Sequence, residues 1–219
     1  MQTVPNTELI EFENWTLRIR KTTHPSPRLL LMIHGFTGDE NSMWVFARDL
    51  PPDYWIVAPR APYTTEPSGY SWRASHSLTE GRPSLEQLRP AAEALIKLVD
   101  AYQLSAGIKA SVFDVMGFSQ GAAMSNLLVF LYPQRIGKTG ILAGFVPSGL
   151  EELAAQQPLK GKPFFVAHGT NDVTVPVERA RASIEILEQA GAQVTYCEDE
   201  VGHKVSLNCL RALRSFLAE

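Results

Sequence analysis

Short apolar runs bounded by Gly and Pro alternate along the chain with longer stretches in which apolar residues recur every three or four positions. The runs are Leu29–Ile33, Tyr54–Ala58, Val112–Met116, Thr139–Val146, Pro163–Ala167 and Gln193–Cys197. They lack polar alternation, which predicts strands covered on both faces, as in a parallel sheet between helical layers. Leu9 to Ile19 alternates instead, and this predicts a hairpin at a sheet edge.

The helical stretches carry end signals. Ser84-Leu85-Glu86-Gln87 fits a capping box, in which serine and glutamine side chains satisfy each other's backbone donors. Behind it, Leu85, Leu88, Ala92, Leu95 and Val99 form one apolar stripe. Pro90 predicts a kink or a later start, because proline lacks the N–H that a helix interior needs. Pro176 can open a helix and Gly191 can end it. A last helix over about Val205 to Leu217 places Leu210, Leu213 and Leu217 on one face. Strand–helix alternation of this kind predicts an α/β fold, a mostly parallel, doubly wound sheet flanked by helices. With no repeat or linker, residues 1–219 read as one domain, residues 1–27 being an N-terminal extension or edge hairpin. The connection from Pro59 to Pro83 is long and aperiodic, and ordered loops of that length tend to line sites.

Composition narrows the function classes. Apolar types make up 45% and charged types 20% of the chain, a globular balance that excludes disorder as the main state. Twenty basic against 23 acidic residues give a net charge of −3, so no footprint for nucleic acid or anionic membrane appears. No apolar run is long enough to span a bilayer. The start, Met1-Gln2-Thr3-Val4-Pro5, has neither part of a signal peptide, so a cytoplasmic protein is expected. Cys197 and Cys209 form no CxxC and suggest no disulfide framework.

Gly117-Phe118-Ser119-Gln120-Gly121 matches G-x-S-x-G between a predicted strand and a predicted helix, the context this motif needs. The turn would thrust the Ser119 hydroxyl out beside a helix N-terminus. A serine hydroxyl near neutral pH needs a base. Of five histidines, His24 reads as exposed and His76 lies in the long loop, where contact with substrate is one option. His34 and His168 follow strands and precede glycines, positions suited to bracing turns. His203 lies late in the chain between a strand and the last helix and is the candidate base. Asp172, after another buried strand, is the candidate for orienting it, with Asp114, Asp199 and Glu200 as rivals. Asp114 lies inside a strand, which suits a structural hydrogen bond; Asp199 and Glu200 are close to His203 in sequence. Chain order Ser–Asp–His is that of α/β-hydrolases. The oxyanion donors expected are the backbone N–H groups of Gln120 and Phe36. His34, His168, His203 and Asp172 show no zinc-ligand spacing, so neither metal nor cofactor is expected.

Assembled, these residues resemble the phospholipase/carboxylesterase family of α/β-hydrolases, which includes acyl-protein thioesterases. The marks are Ile33-His34-Gly35-Phe36-Thr37-Gly38 with Trp44, Ala58-Pro59-Arg60-Ala61-Pro62, Gly69-Tyr70-Ser71-Trp72, the Ser119 motif, His168-Gly169-Thr170-Asn171-Asp172 with Val175-Pro176, and Gly202-His203. The resemblance implies Ser119, Asp172 and His203 as a catalytic triad, Phe36 and Gln120 as oxyanion donors, and Trp72 lining the acyl or alcohol pocket. Arg73-Ala74 stands where many members carry Phe-Asp, and Arg73 could meet a substrate carboxylate. Residues 147–161 are too few for a helical lid, so an open cleft roofed mainly by residues 59–83 is expected. The expected activity is hydrolysis of short to medium acyl esters by a serine carboxylesterase, a monomer or homodimer acting on a small ester or thioester. Acyl-protein thioesterase, lysophospholipase-like or lactone hydrolase activity, and a slowly turning-over binding protein, are the alternatives.

Overall fold

The computed structural model describes residues 6–48, 50–74 and 82–219. Strands β1 (Glu8–Phe12) and β2 (Trp15–Arg20) form the predicted edge hairpin. They are followed by β3 (Arg28–Ile33), β4 (Tyr54–Pro59), and a two-stranded ribbon of β5 (Tyr63–Thr64) and β6 (Tyr70–Ser71). Then come α1 (Leu85–Ala106), β7 (Phe113–Phe118), α2 (Gln120–Leu131), β8 (Ile136–Leu142) and a single turn, α3 (Glu151–Ala154). The chain closes with β9 (Pro163–Gly169), α4 (Val177–Gln189), β10 (Gln193–Asp199) and α5 (Leu207–Ala218). Among the described residues the main sheet runs β1-β2-β4-β3-β7-β8-β9-β10, with every pair from β4 to β10 parallel.

The unalternating runs form strands because both faces of the sheet are dry. Leu29, Leu31 and Ile33 pack into the layer that holds α1 and α2, whereas Leu30 and Met32 pack into the layer that holds Leu213 and Leu217 of α5. Period-two geometry thus splits one apolar run between two cores. β3 neighbours both β4 and β7, so the chain leaves it in opposite directions and opens a crevice at the C-terminal strand ends.

Boundaries differ from expectation at several places. The Thr139–Val146 run is strand only to Leu142. At Ala143 the backbone turns to φ 47°, which ends extended pairing, and the remaining apolar residues are a buried loop. β7 begins at Phe113 and continues to Phe118 rather than ending at Met116. The helix with the capping box starts directly after Ser84 and runs through Pro90, not from beyond it. α5 begins at Leu207 instead of Val205, because the Ser206 hydroxyl caps it by accepting the Cys209 N–H at 3.1 Å. Cys197 and Cys209 form a disulfide, contrary to the expectation from their spacing; it ties the end of β10 to the first turns of α5 across a Cα–Cα distance of 5.6 Å. The expected exposed histidine, His24, is exposed. His76 lies outside the described residues.

Candidate active site

Four strand ends meet at the crevice. Ser119 follows β7 and precedes α2, with φ 54° and ψ −116°, a left-handed conformation costly for any side chain. The close approach of neighbouring segments enforces it: a Cβ on Gly121 would sit 2.0 Å from the Ile33 carbonyl oxygen, so only glycine lets α2 start against β3. The Ser119 N–H donates to Leu142 O at 2.9 Å, which anchors the turn to the next strand.

His203 lies in the loop between β10 and α5. Its Nε2 stands 3.0 Å from Ser119 Oγ and its Nδ1 stands 2.7 Å from Asp172 Oδ2. A carboxylate only accepts, so Nδ1 carries the hydrogen and Nε2 is left to accept from the serine hydroxyl. Asp172 is buried at the end of β9, and its other oxygen, Oδ1, accepts the N–H groups of Thr174 and Val175, both at 2.9 Å. The Asp172 and His203 loops approach closely because a Cβ on Gly169 would lie 2.2 Å from the Val201 carbonyl oxygen. The ring of Phe118 flanks the imidazole, their centroids 4.9 Å apart. Two of the rivals of Asp172 are engaged elsewhere. Asp114 accepts from Tyr54 Oη at 2.5 Å and from the Lys138 N–H at 2.7 Å, while Asp199 accepts from the Glu200 N–H at 3.0 Å.

The loop after β3 is held by His34. Its Nδ1–H donates to Gly35 O at 2.7 Å and its Nε2 accepts the Ala61 N–H at 3.0 Å, an arrangement that only the neutral ring can make. Burial pushes its pKa down to about 4. His168 braces the other loop, donating from Nε2 to Val175 O at 2.8 Å. The Gln120 side chain is buried and fixed, accepting the Trp72 N–H at 3.0 Å and donating to Ser71 Oγ at 3.1 Å.

Trp72 was expected in a pocket wall and is not there. It is fully buried, with its indole N–H donating to His34 O at 2.8 Å. The residue joins the Gln120 turn to the His34 loop from behind. Arg73 does face the site, with its Nη1 donating to Gln87 Oε1 at 3.0 Å.

Two clefts meet at Ser119. One, of about 750 Å³, is apolar and is lined by His203, Phe46, Phe118, Val205 and Leu210 among others. The other, of about 240 Å³, is lined by Arg73, Arg82, Phe145 and Arg179, and reaches Gln120. Of residues 59–83, the described ones that line either cleft are Arg73, Arg82 and Pro83; residues 75–81 of the expected roof lie outside the described residues. Sequence reading missed Arg82 and Arg179. Arg179 left one signal, a cation in the first turn of α4, where the helix dipole disfavours positive charge.

A model of the phospholipase/carboxylesterase family matches residues 14–219. The chain belongs to this phospholipase/carboxylesterase family. Within the family it is 31% identical over 146 residues to a probable carboxylesterase SOBER1-like of Arabidopsis thaliana, covering 65% of this chain and 55% of that protein. The chain spans about half the length of three plant relatives it matches. It is also 27% identical over 194 residues to acyl-protein thioesterase 1 of Debaryomyces hansenii, covering 80% of this chain and 82% of that protein. The crystal structure of the Bacillus cereus carboxylesterase superimposes with a TM-score of 0.82 at 22% identity, covering 94% of each chain. That likeness establishes the α/β-hydrolase fold, and with only a four-residue α3 between β8 and β9 no large cap is present among the described residues.

Proposed function

We propose that the chain is a serine carboxylesterase that hydrolyses esters of short to medium acyl groups through an acyl-enzyme. The single observation behind this reading is the unbroken hydrogen-bonded line from Ser119 Oγ through His203 to the buried Asp172. Ser119 Oγ attacks the ester carbonyl as its proton passes to His203 Nε2. The developing oxyanion is met by the backbone N–H groups of Gln120 and Phe36. His203 then gives its proton to the leaving alcohol oxygen as the carbonyl carbon–oxygen bond breaks. Water, deprotonated by the same nitrogen, releases the acid and restores Ser119. Asp172 holds the imidazole tautomer and stabilises its charged form.

A thioester or lysophospholipid substrate is the second reading, favoured by the apolar cleft of about 750 Å³, which has room for a bulky leaving group. The non-enzyme alternative, a binding protein with slow turnover, predicts a stoichiometric burst and negligible steady rate on active-site titration. Replacing Ser119 by Ala should lower hydrolysis of 4-nitrophenyl butyrate by about 10⁴-fold or more with folding intact. Labelling of wild type by a fluorophosphonate at any other residue, or unchanged turnover in the variant, removes the assignment. No helix among the described residues is long and apolar enough to cross a membrane. The Cys197–Cys209 bond points away from the cytoplasm expected above, because disulfides persist in oxidising compartments and are rare where thiols are kept reduced.

A further inference from the structure

The smaller cleft at Ser119 concentrates positive charge in a protein whose net charge is −3. Three arginines from three segments line it: Arg73 follows β6, Arg82 precedes α1, and Arg179 lies in the first turn of α4. No Asp or Glu is among its described lining residues. Arg82 and Arg179 both approach the ring of Phe145, at 5.8 and 6.0 Å from its centroid. Phe145 is itself fixed, because its carbonyl oxygen accepts from Asn126 Nδ2 at 3.0 Å. Arg82 also donates through Nη2 to Val146 O, and Arg73 through Nη1 to Gln87 Oε1. Burial lowers the Arg82 pKa; Glu151 nearby raises it and Arg179 lowers it. Three guanidinium groups lining one cleft, two of them repelling each other, draw an anionic group into it.

The reaction assigns sides to the two clefts. Ser119 lines both, whereas His203 lines only the apolar one. His203 must deliver its proton to the leaving oxygen, so the alcohol part of the ester belongs on the His203 side, in the apolar cleft. The acyl part then extends the other way, from the carbonyl held at Ser119 into the cleft of the arginines.

We propose that this cleft binds an anionic terminus on the acyl group, so that the preferred substrates are half-esters of short dicarboxylic acids with an apolar alcohol. This rests on the esterase reading and narrows its substrate class. Ser119 Oγ forms a bond to the ester carbonyl carbon, the bond to the alcohol oxygen breaks, and the proton goes from Oγ to that oxygen through His203. The distal carboxylate stays on the arginines while the emptied apolar cleft admits the water. Water then cleaves the acyl-enzyme, and the products are the dicarboxylate, the neutral alcohol and a proton released to solvent.

The test pairs two esters of equal chain length, 4-nitrophenyl hydrogen adipate and 4-nitrophenyl hexanoate, on wild type and Arg179→Gln. Arg179 is the exposed member of the three, and thermal unfolding checks that the variant folds. Wild type should favour the adipate ester at least tenfold in kcat/KM, and the variant should lose about tenfold or more of that ratio, as expected for one charge-assisted hydrogen bond. Raising the salt concentration should shrink the wild-type ratio. A wild-type ratio near or below one, or a ratio that Arg179→Gln leaves unchanged, overturns the proposal. Calorimetry on Ser119→Ala keeps this separate from the esterase reading. Adipate should bind more tightly than hexanoate and lose that advantage when Arg179→Gln is added, whatever the turnover. Inorganic phosphate that binds as well as adipate and fails to inhibit the adipate ester would point to an anion site unconnected with the acyl group, and would also overturn it.

Discussion

Asp172→Asn separates orientation from packing, because the structure dictates which way the amide must face. Oδ1 of Asp172 accepts two backbone N–H groups, from Thr174 and Val175, each at 2.9 Å. Only a carbonyl oxygen can replace it there; an NH₂ would meet two donors. The amide nitrogen is therefore left at the Oδ2 position, 2.7 Å from His203 Nδ1. Donor now faces donor unless Nδ1 gives up its hydrogen, and the imidazole becomes the Nε2–H tautomer. That tautomer donates to Ser119 Oγ instead of accepting from it, and the serine has no base. Loss of a positioned base in its correct tautomer costs about 10⁴ in rate, roughly 5.5 kcal/mol at 1.36 kcal/mol per tenfold. The stability cost should be small by comparison. His168 Nε2 lies 3.4 Å from the same oxygen and already donates to Val175 O, so the new amide meets one further donor, worth about 1 kcal/mol. Steady-state hydrolysis of 4-nitrophenyl butyrate at pH 7 and urea unfolding measure the two numbers. A fold-intact variant that keeps more than a tenth of wild-type kcat would refute the assignment of Asp172 to His203.

Two further outcomes follow from groups outside the reaction. The buried His34 has its pKa lowered from 6.5 to about 4, so below pH 6.5 the unfolded chain takes up a proton that the folded chain refuses. The stability it contributes is full above 6.5 and falls by up to about 3 kcal/mol as the pH drops to 4; the urea midpoint should decline over that window and decline less in His34→Gln, and parallel declines would exclude His34 as the cause. The Cys197–Cys209 bond spans a sequence separation of 12 and encloses His203. Closing a loop of that size is worth about 3 kcal/mol in a chain-entropy account, so dithiothreitol should lower the guanidinium midpoint accordingly, and an unmoved midpoint would show that the bond adds nothing.

Much of the fold was legible because β3, β4, β7, β8 and β9 are largely buried on both faces, which writes itself as unbroken apolar character. The same signal cannot tell strand from buried loop, so Thr139–Val146 reads as one element although the backbone turns at Ala143. Ser119, Asp172 and His203 were legible because the motif and its position between a strand and a helix restrict a nucleophile strongly, and chain order then restricts its partners. The structure brings these three side chains within hydrogen-bonding reach. Trp72 was misplaced because a tryptophan near a catalytic loop looks the same in sequence whether it faces a cleft or the core. Its indole N–H is satisfied by the His34 carbonyl, a partner that only tertiary structure supplies. The disulfide and the arginine cleft were illegible for a related reason. Cys197 sits on a strand and Cys209 on a helix, while Arg73, Arg82 and Arg179 come from separate segments that no local pattern relates.

The left-handed backbone at Ser119 has a consequence for anyone redesigning this protein. A side chain held at φ 54° carries a conformational penalty on the order of 1–3 kcal/mol that the surrounding strands and helix must absorb. Selection for thermal robustness alone would relax that position, either by glycine, which deletes the hydroxyl, or by a straighter turn, which draws it out of the crevice. Hardening this scaffold therefore has to begin with its periphery, at the hairpin and the surface helices, and leave the elbow tense.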